Sequence, residues 1–112
     1  MSEKDQANLL AILDSANKVL TFTQDVSDAD TFYADVKTFD AVLMNFVVIG
    51  ESVAKLSQGI REANQHRPWA KIKGFRNIVA HNYFGVDAEE VWQTIQNHIP
   101  ALIQDVEGIL NT

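Results

Sequence analysis

The chain has 112 residues, a hydrophobic fraction of 46% and a formal net charge of -6. This length allows one core, and the composition is that of an ordinary globular protein, which excludes disordered, fibrous and multidomain architectures. The chain contains no cysteine, which excludes disulfides, thiolate metal sites and a cysteine nucleophile. We therefore expect a single helical domain spanning residues 1–112.

The first residues are too polar for a signal peptide, and no apolar run reaches the roughly 18 residues that a membrane span needs. We expect a soluble protein in the cytoplasm, with no membrane contact.

The first half of the chain predicts two long helices. Apolar residues recur at intervals of three and four over residues 4–26, and Ser2 with Asp5 resembles a capping box. A turn is expected at 27–30, then a short helical turn, and residues 39–56 sustain a second helical period that is mostly buried.

The second half predicts a connection over residues 57–67 and two further helices. The third runs from 69 to about 83, with Pro68 suited to the first position because its missing N–H needs no partner there. The fourth runs over 87–110, opened by Asp87 and Glu90 as a capping pair, with a kink expected at Pro100. No strand alternation is present, so the fold class is all-α, an antiparallel bundle of four to five helices.

The positive charge is concentrated in residues 61–83. That segment holds five basic side chains against the single acid Glu62, whereas the rest of the chain is strongly acidic. A basic segment on an acidic body indicates a nucleic-acid contact, although a chance cluster on a solvated helix face is the alternative.

A helical projection divides the third helix into an apolar face and a polar arc about 160° wide. The apolar face carries Ile72, Phe75, Ile78, Val79 and Asn82. The opposite arc carries, in order, Tyr83, Arg76, Ala80, Lys73, Asn77 and His81. An arc of this composition around one small residue is suited to an anion.

Arg76 and His81 are the residue types that phosphoryl chemistry uses. An arginine offers a planar fork for phosphate, and a histidine exchanges a proton near neutral pH. Their Cβ vectors diverge by about 140° on a single helix, so the two side chains lie at the edges of a ligand. We therefore predict a symmetric homodimer whose two-fold axis passes near Ala80 and closes a cleft lined by both pairs.

The spacing of Arg76, Asn77, His81 and Tyr83 resembles the hallmark of the HepT-like branch of the HEPN domains. Further similarities lie outside the motif and span most of the chain. They are Ile49, Gly50, Glu51, Trp69, Val91, Trp92 and Pro100.

The resemblance implies a toxin of a two-gene toxin–antitoxin module that cleaves cellular RNA without a metal at a dimer interface. Arg76 would stabilise the phosphoryl group, and His81 would be the general base or acid for attack by the ribose 2'-hydroxyl. The product would be a 2',3'-cyclic phosphate. The antitoxin would be a minimal nucleotidyltransferase that transfers AMP to Tyr83, and the added phosphate and base would exclude RNA from the cleft.

Three residues have supporting roles in this hypothesis. Asn77 would orient the imidazole or a phosphate oxygen. Glu51 would pair with Arg76 or Lys73, unless it only faces solvent. Lys73 would contact a phosphate, unless it is simply solvated.

Four further residues receive no chemical role. His66 and His98 lack ligand-like spacing, so we predict neither a metal site nor a cofactor. Trp69 and Trp92 could stack on bases, but their apolar neighbours at helical spacing favour a structural role.

Two other functions fit the same residues. A non-catalytic partner of a nucleotidyltransferase would bind nucleotides or present Tyr83 as a substrate, with Arg76 and His81 used for docking. The acidic body is compatible with this alternative. A helical dimerisation module without chemistry is the third.

Overall fold

The computed structural model describes residues 1–80 and 87–112, apart from the side chains of Ile78 and Ala80. Within these ranges the chain is helical and contains no strand, as the sequence predicts. The helices are α1 (Glu3–Thr23), α2 (Ala29–Ala34), α3 (Val36–Ala54), α4 (Gln58–Ala63), α5 (Trp69–Lys73), α6 (Phe75–Ala80), α7 (Ala88–Asn97) and α8 (Ile99–Leu110).

The long helices α1, α3 and α8 form the centre of the molecule. Helix α1 packs against α3 and against α8, while α2 packs against α7, and both α5 and α6 pack against α3. Every helix except α4 contributes buried apolar side chains to a shared core, which is the expected solution for amphipathic helices. The fully buried side chains include Leu9, Ile12, Val19, Phe32, Val42, Phe46, Ile49, Val53, Val91, Ile95, Ile99 and Val106.

Both tryptophans belong to this core, as their apolar neighbours predict. Trp69 and Trp92 are buried, and the Trp69 indole Nε1 donates a hydrogen bond to the Asn64 carbonyl at 3.1 Å. The Trp92 ring lies 5.7 Å from that of Phe32, centroid to centroid, and so connects α7 with α2. Neither ring is available for stacking on a base.

The N-terminal cap of α1 forms only half of the predicted capping box. Ser2 Oγ accepts the hydrogen bond of Asp5 N at 3.0 Å. The Asp5 carboxylate instead accepts hydrogen bonds from Ser57 N at 2.8 Å and Ser57 Oγ at 2.6 Å. Asp5 therefore connects the start of α1 to the start of α4, a contact between residues far apart in the sequence.

The predicted third helix is broken at Gly74, which separates α5 from α6. Asn77 N donates to the Gly74 carbonyl at 2.9 Å, a spacing of three residues that belongs to a tighter turn than the α-helix. Glycine is the weakest helix former after proline, which permits the break at this position. Pro68 occupies the N-cap position of α5 without a side-chain capping hydrogen bond, one residue before the predicted first position, and Trp69 is the first helical residue.

The predicted fourth helix is also two helices, because the chain breaks at His98. The interruption expected at Pro100 therefore falls at His98, two residues earlier, and Pro100 lies in the first turn of α8, where its missing N–H leaves no intrahelical bond unmade. The predicted start is confirmed, since the Asp87 carboxylate accepts from Glu89 N and Glu90 N at the beginning of α7.

Candidate functional site

The candidate site lies where α6 packs against the C-terminal half of α3. A Cβ atom added to Gly50 would lie 3.0 Å from Arg76 N and 3.0 Å from the Lys73 carbonyl oxygen. These distances are shorter than ordinary van der Waals contacts, so the two helices approach as closely as a glycine allows. The approach brings the first turn of α6 directly beside α3.

Glu51 and Arg76 form an ion pair across this contact. The distance from Arg76 Nη1 to Glu51 Oε1 is 2.8 Å. The Arg76 side chain is 38% exposed and the Glu51 side chain is 45% exposed, so both are accessible to a ligand from solvent. Of the two partners predicted for Glu51, Arg76 is therefore the one found.

The inner face of the α5–α6 segment is anchored in the core. Ile72 and Phe75 are buried, Val79 packs partly against the same core, and the Phe75 ring stacks on that of Phe46 at 5.1 Å. These residues are on the apolar face that the projection predicts. Because Phe75 is fixed, the backbone of the adjacent Arg76 is fixed as well.

Lys73 and Asn77 are both exposed, and neither has an ion pair or side-chain hydrogen bond within the described part of the chain. The projection that placed them on one arc assumed a continuous helix. Because Gly74 interrupts it, periodicity alone no longer fixes the angle between Lys73 on α5 and Arg76 on α6.

The other predicted members of the polar arc, His81 and Tyr83, lie outside the described residues, as does the side chain of Ala80. Their proposed roles therefore remain predictions.

The basic segment is partly neutralised by carboxylates from other helices. Arg67 Nη1 pairs with Asp105 Oδ1 of α8, just as Arg76 pairs with Glu51 of α3. Among the remaining bases, Lys71 and Lys73 are exposed. The sequence shows the excess of bases in this segment, but the distant acids that compensate two of them become visible only in the fold.

The two other histidines take no part in the Arg76–Glu51 pair. His98 lines a cavity of about 70 Å³ between α5 and α8, and its burial, together with the charge of Lys71, lowers the pKa of its imidazole. His66 is exposed. No group of three or more His, Asp or Glu side chains in residues 1–80 and 87–112 is arranged to hold a metal ion.

Gly50 is the residue whose importance sequence reasoning missed. It entered the resemblance only as a landmark, whereas the structure places it in contact with the backbone of Arg76. A glycine inside an otherwise apolar helix was the available signal, because it weakens the helix and so indicates a close approach.

Comparison with known proteins assigns the chain to a family. Residues 12–109 match the model of the family described as ribonuclease HepT-like, and the chain belongs to that family.

Several relatives match over most of their length. A protein of Methanocaldococcus jannaschii named a candidate RNase is 35% identical over 96% of this chain and 98% of its own. A protein of Thermococcus cleftensis named a probable ribonuclease HepT is 30% identical over 81% of this chain and 82% of its own. No solved structure gives a significant match.

Within the described ranges, no helix is long and apolar enough to cross a lipid bilayer.

Proposed function

We propose that this protein is an endoribonuclease toxin that cleaves cellular RNA without a metal ion. The observation that carries the proposal is the accessible guanidinium of Arg76. One of its nitrogens is bound to Glu51, which orients the group, and its other N–H donors remain for a phosphate. Exposed Lys73 and Asn77 nearby in the chain add polar groups suited to the same ligand.

In the proposed reaction, His81 takes the proton of a ribose 2'-hydroxyl as general base. The 2'-oxygen then forms a bond to the adjacent phosphorus, and the bond from phosphorus to the 5'-oxygen breaks. The leaving oxygen takes up a proton from water, and His81 returns the proton it accepted to water, which leaves a 2',3'-cyclic phosphate and a 5'-hydroxyl. Arg76 stabilises the charge that builds on the phosphoryl oxygens, and Asn77 orients the imidazole or one of those oxygens.

The site is proposed to be completed by a homodimer. Met44, Val48 and Glu51 share one face of α3 by their spacing, and Met44 is 62% exposed. An apolar surface continuous with the Glu51–Arg76 pair is suited to a second copy of the same helix, which would bring two sites together.

The dimer is testable with one substitution on this surface. Met44→Glu should reduce the dimer fraction in sedimentation or light scattering and reduce RNA cleavage with it. Leu10→Glu is the matched control, because Leu10 is also exposed but lies on α1. A dimer unaffected by Met44→Glu would place the interface elsewhere.

Regulation is proposed to act through Tyr83. A nucleotidyltransferase antitoxin encoded in the same module would transfer AMP to this hydroxyl, and the added phosphate would repel RNA while the base obstructs the cleft. The family assignment supports this proposal. Mass spectrometry of the chain after incubation with such an enzyme and ATP, with Tyr83→Phe as control, would detect the modification.

The decisive experiment is RNA cleavage by the purified chain in the presence of EDTA. Product ends should carry 2',3'-cyclic phosphates, and Arg76→Ala and His81→Ala should abolish them. Lys55→Ala, at an exposed lysine just after α3, should not. A chain that degrades no RNA but binds a nucleotidyltransferase tightly would instead be its non-catalytic partner.

A further inference from the structure

Two consecutive residues of α3 contact the segment that carries Arg76 in different ways. Gly50 faces its backbone, since an added Cβ would lie 3.0 Å from Arg76 N and 3.1 Å from Arg76 Cβ. Glu51 holds its side chain, through the 2.8 Å contact between Oε1 and Nη1. We propose that Gly50 and Glu51 are positioning residues for Arg76. This inference rests on the proposed role of Arg76 in RNA cleavage.

Gly50 determines how far Arg76 stands from α3. Any side chain at this position meets two backbone atoms, Arg76 N and the Lys73 carbonyl oxygen, and neither can rotate away as a flexible side chain would. The neighbouring segment has to move by a few tenths of an ångström to accept even a methyl group. Because Gly50 has no side chain, the Arg76 Cα lies this close to α3, and a larger residue at position 50 would displace it.

Glu51 determines where the guanidinium points from that Cα. Arginine has several rotatable bonds, and an unpaired exposed guanidinium samples many orientations. One hydrogen bond to a carboxylate on an adjacent rigid helix restricts those orientations while leaving donors free for a phosphate. Ile49 and Val53, fully buried on α3, hold the helix that presents this carboxylate.

The two residues depend on each other. If α6 moved away from α3, the same Glu51 rotamer would no longer reach Arg76, so loss of Gly50 should also weaken the ion pair. A displacement of about 1 Å near reacting groups can cost on the order of 100-fold in rate. A shift of a few tenths should therefore reduce kcat by about tenfold.

The first test compares two helical glycines in the 112-residue chain. Gly50→Ala should lower kcat for RNA cleavage by about tenfold with KM changed less than about twofold, because the loss is confined to the transition state. Gly108→Ala is the control, since the nearest heavy atom to an added Cβ there is Arg67 Nη2 at 4.0 Å. Its kinetics should equal those of the parent. Equal kcat values for both variants and the parent would overturn the role of Gly50.

The second test removes only the charge of the carboxylate. Glu51→Gln retains the size of the side chain and should lower kcat by about tenfold, with partial rescue in Glu51→Asp. Glu107→Gln, at an exposed position of α8, is the matched control. If Gly50→Ala fails to fold, as judged by its thermal transition, the Glu51 series alone decides the proposal.

A third measurement separates this inference from the proposed function. The Arg76 Nε–Hε resonance in NMR spectra of the full chain should shift in Gly50→Ala and Glu51→Gln, but not in Gly108→Ala. An unchanged resonance in the first two variants would overturn the positioning role, whatever the activity. If the resonance shifts in these two variants and the parent protein cleaves no RNA, the positioning role is supported and the proposed function is refuted.

Discussion

Arg67 and Arg76 lie in the same basic segment, and each pairs with a carboxylate from another helix, yet their surroundings differ. Arg67 and its partner Asp105 are 23% and 24% exposed, whereas Arg76 and Glu51 are 38% and 45% exposed. Arg67 also has a buried Nε without a hydrogen-bond partner in the described structure. The first pair thus connects the approach to α5 with α8, while the second presents an oriented cation to solvent.

The comparison shows that positive charge alone does not identify a phosphate site. A guanidinium enclosed between helices contributes to folding, because its removal leaves a partly buried carboxylate unpaired. A guanidinium at the surface contributes little to stability but can exchange water for a ligand. Three experiments test this division and a fourth examines a buried carboxylate without an arginine partner, and they follow in order of decreasing expected effect.

The largest effect is expected for activity in Arg76→Ala. Loss of a donor that stabilises the transition state should lower kcat/KM for RNA cleavage by on the order of 100- to 1000-fold. Arg67→Ala, measured beside it at a temperature where both variants are folded, should retain activity within about threefold of the parent. Equal losses in the two variants would remove the distinction between the arginines.

The second effect is on stability, and here the larger loss should come from Arg67 instead of Arg76. Arg67→Ala should lower the free energy of unfolding by about 1–2 kcal/mol, because Asp105 loses a charged hydrogen bond in a partly buried place. Urea denaturation measures the change. A double variant with Asp105→Asn should recover part of the loss, and no recovery would mean that Arg67 acts through packing alone.

The third effect concerns a carboxylate that pairs with no arginine. The hydrogen bonds from the Ser57 side chain and backbone lower the pKa of Asp5, whose side chain is buried. Because the folded pKa is depressed, the unfolded chain takes up this proton at higher pH than the folded chain does. The stabilisation is complete above the unfolded pKa and is lost as pH falls through the folded pKa.

The urea midpoint of the parent should therefore fall as the pH is lowered from 7 to 3. It should fall less for Asp5→Asn, which should itself cost about 1 kcal/mol at pH 7. Asp14→Asn is the control, since Asp14 is an exposed residue of α1. A pH profile of Asp5→Asn that matches the parent would contradict the depressed pKa.

The smallest effect is expected for the stability of Glu51→Gln. An ion pair this exposed should change the free energy of unfolding by less than about 0.5 kcal/mol. The same variant is expected to lose activity, so stability and function should separate at this residue. A loss above about 1.5 kcal/mol would show that the pair serves folding, as the Arg67–Asp105 pair does.

Much of the fold follows from local patterns in the sequence. The two long helices of the first half, the Ser2 half of the first capping box, the cap at Asp87 and the burial of both tryptophans agree with prediction. The breaks at Gly74 and His98 do not, because a helical period continues through both positions in the sequence. A glycine or proline permits an interruption, but the packing of the flanking segments decides whether it occurs.

The ion pair at the candidate site was predictable in part. The sequence indicated Arg76 and Lys73 as possible partners of Glu51 without choosing between them, and the structure has Arg76. The importance of Gly50 was not predictable, because a close approach between helices is a property of two segments. Asp5 shows the same limit, since its local role as a cap residue gives no sign of its partner Ser57.

The sequence by itself determined the helical class, the starts of α1, α5 and α7 and the apolar faces of the long helices, because these depend on contacts within three or four residues. Only the tertiary structure decided which carboxylate holds Arg76, which arginine is enclosed, and how closely α3 approaches α6. Glu51 and Arg76 are 25 residues apart, and Arg67 and Asp105 are 38 apart. Contacts at such separations depend on how the helices dock, which no local pattern specifies.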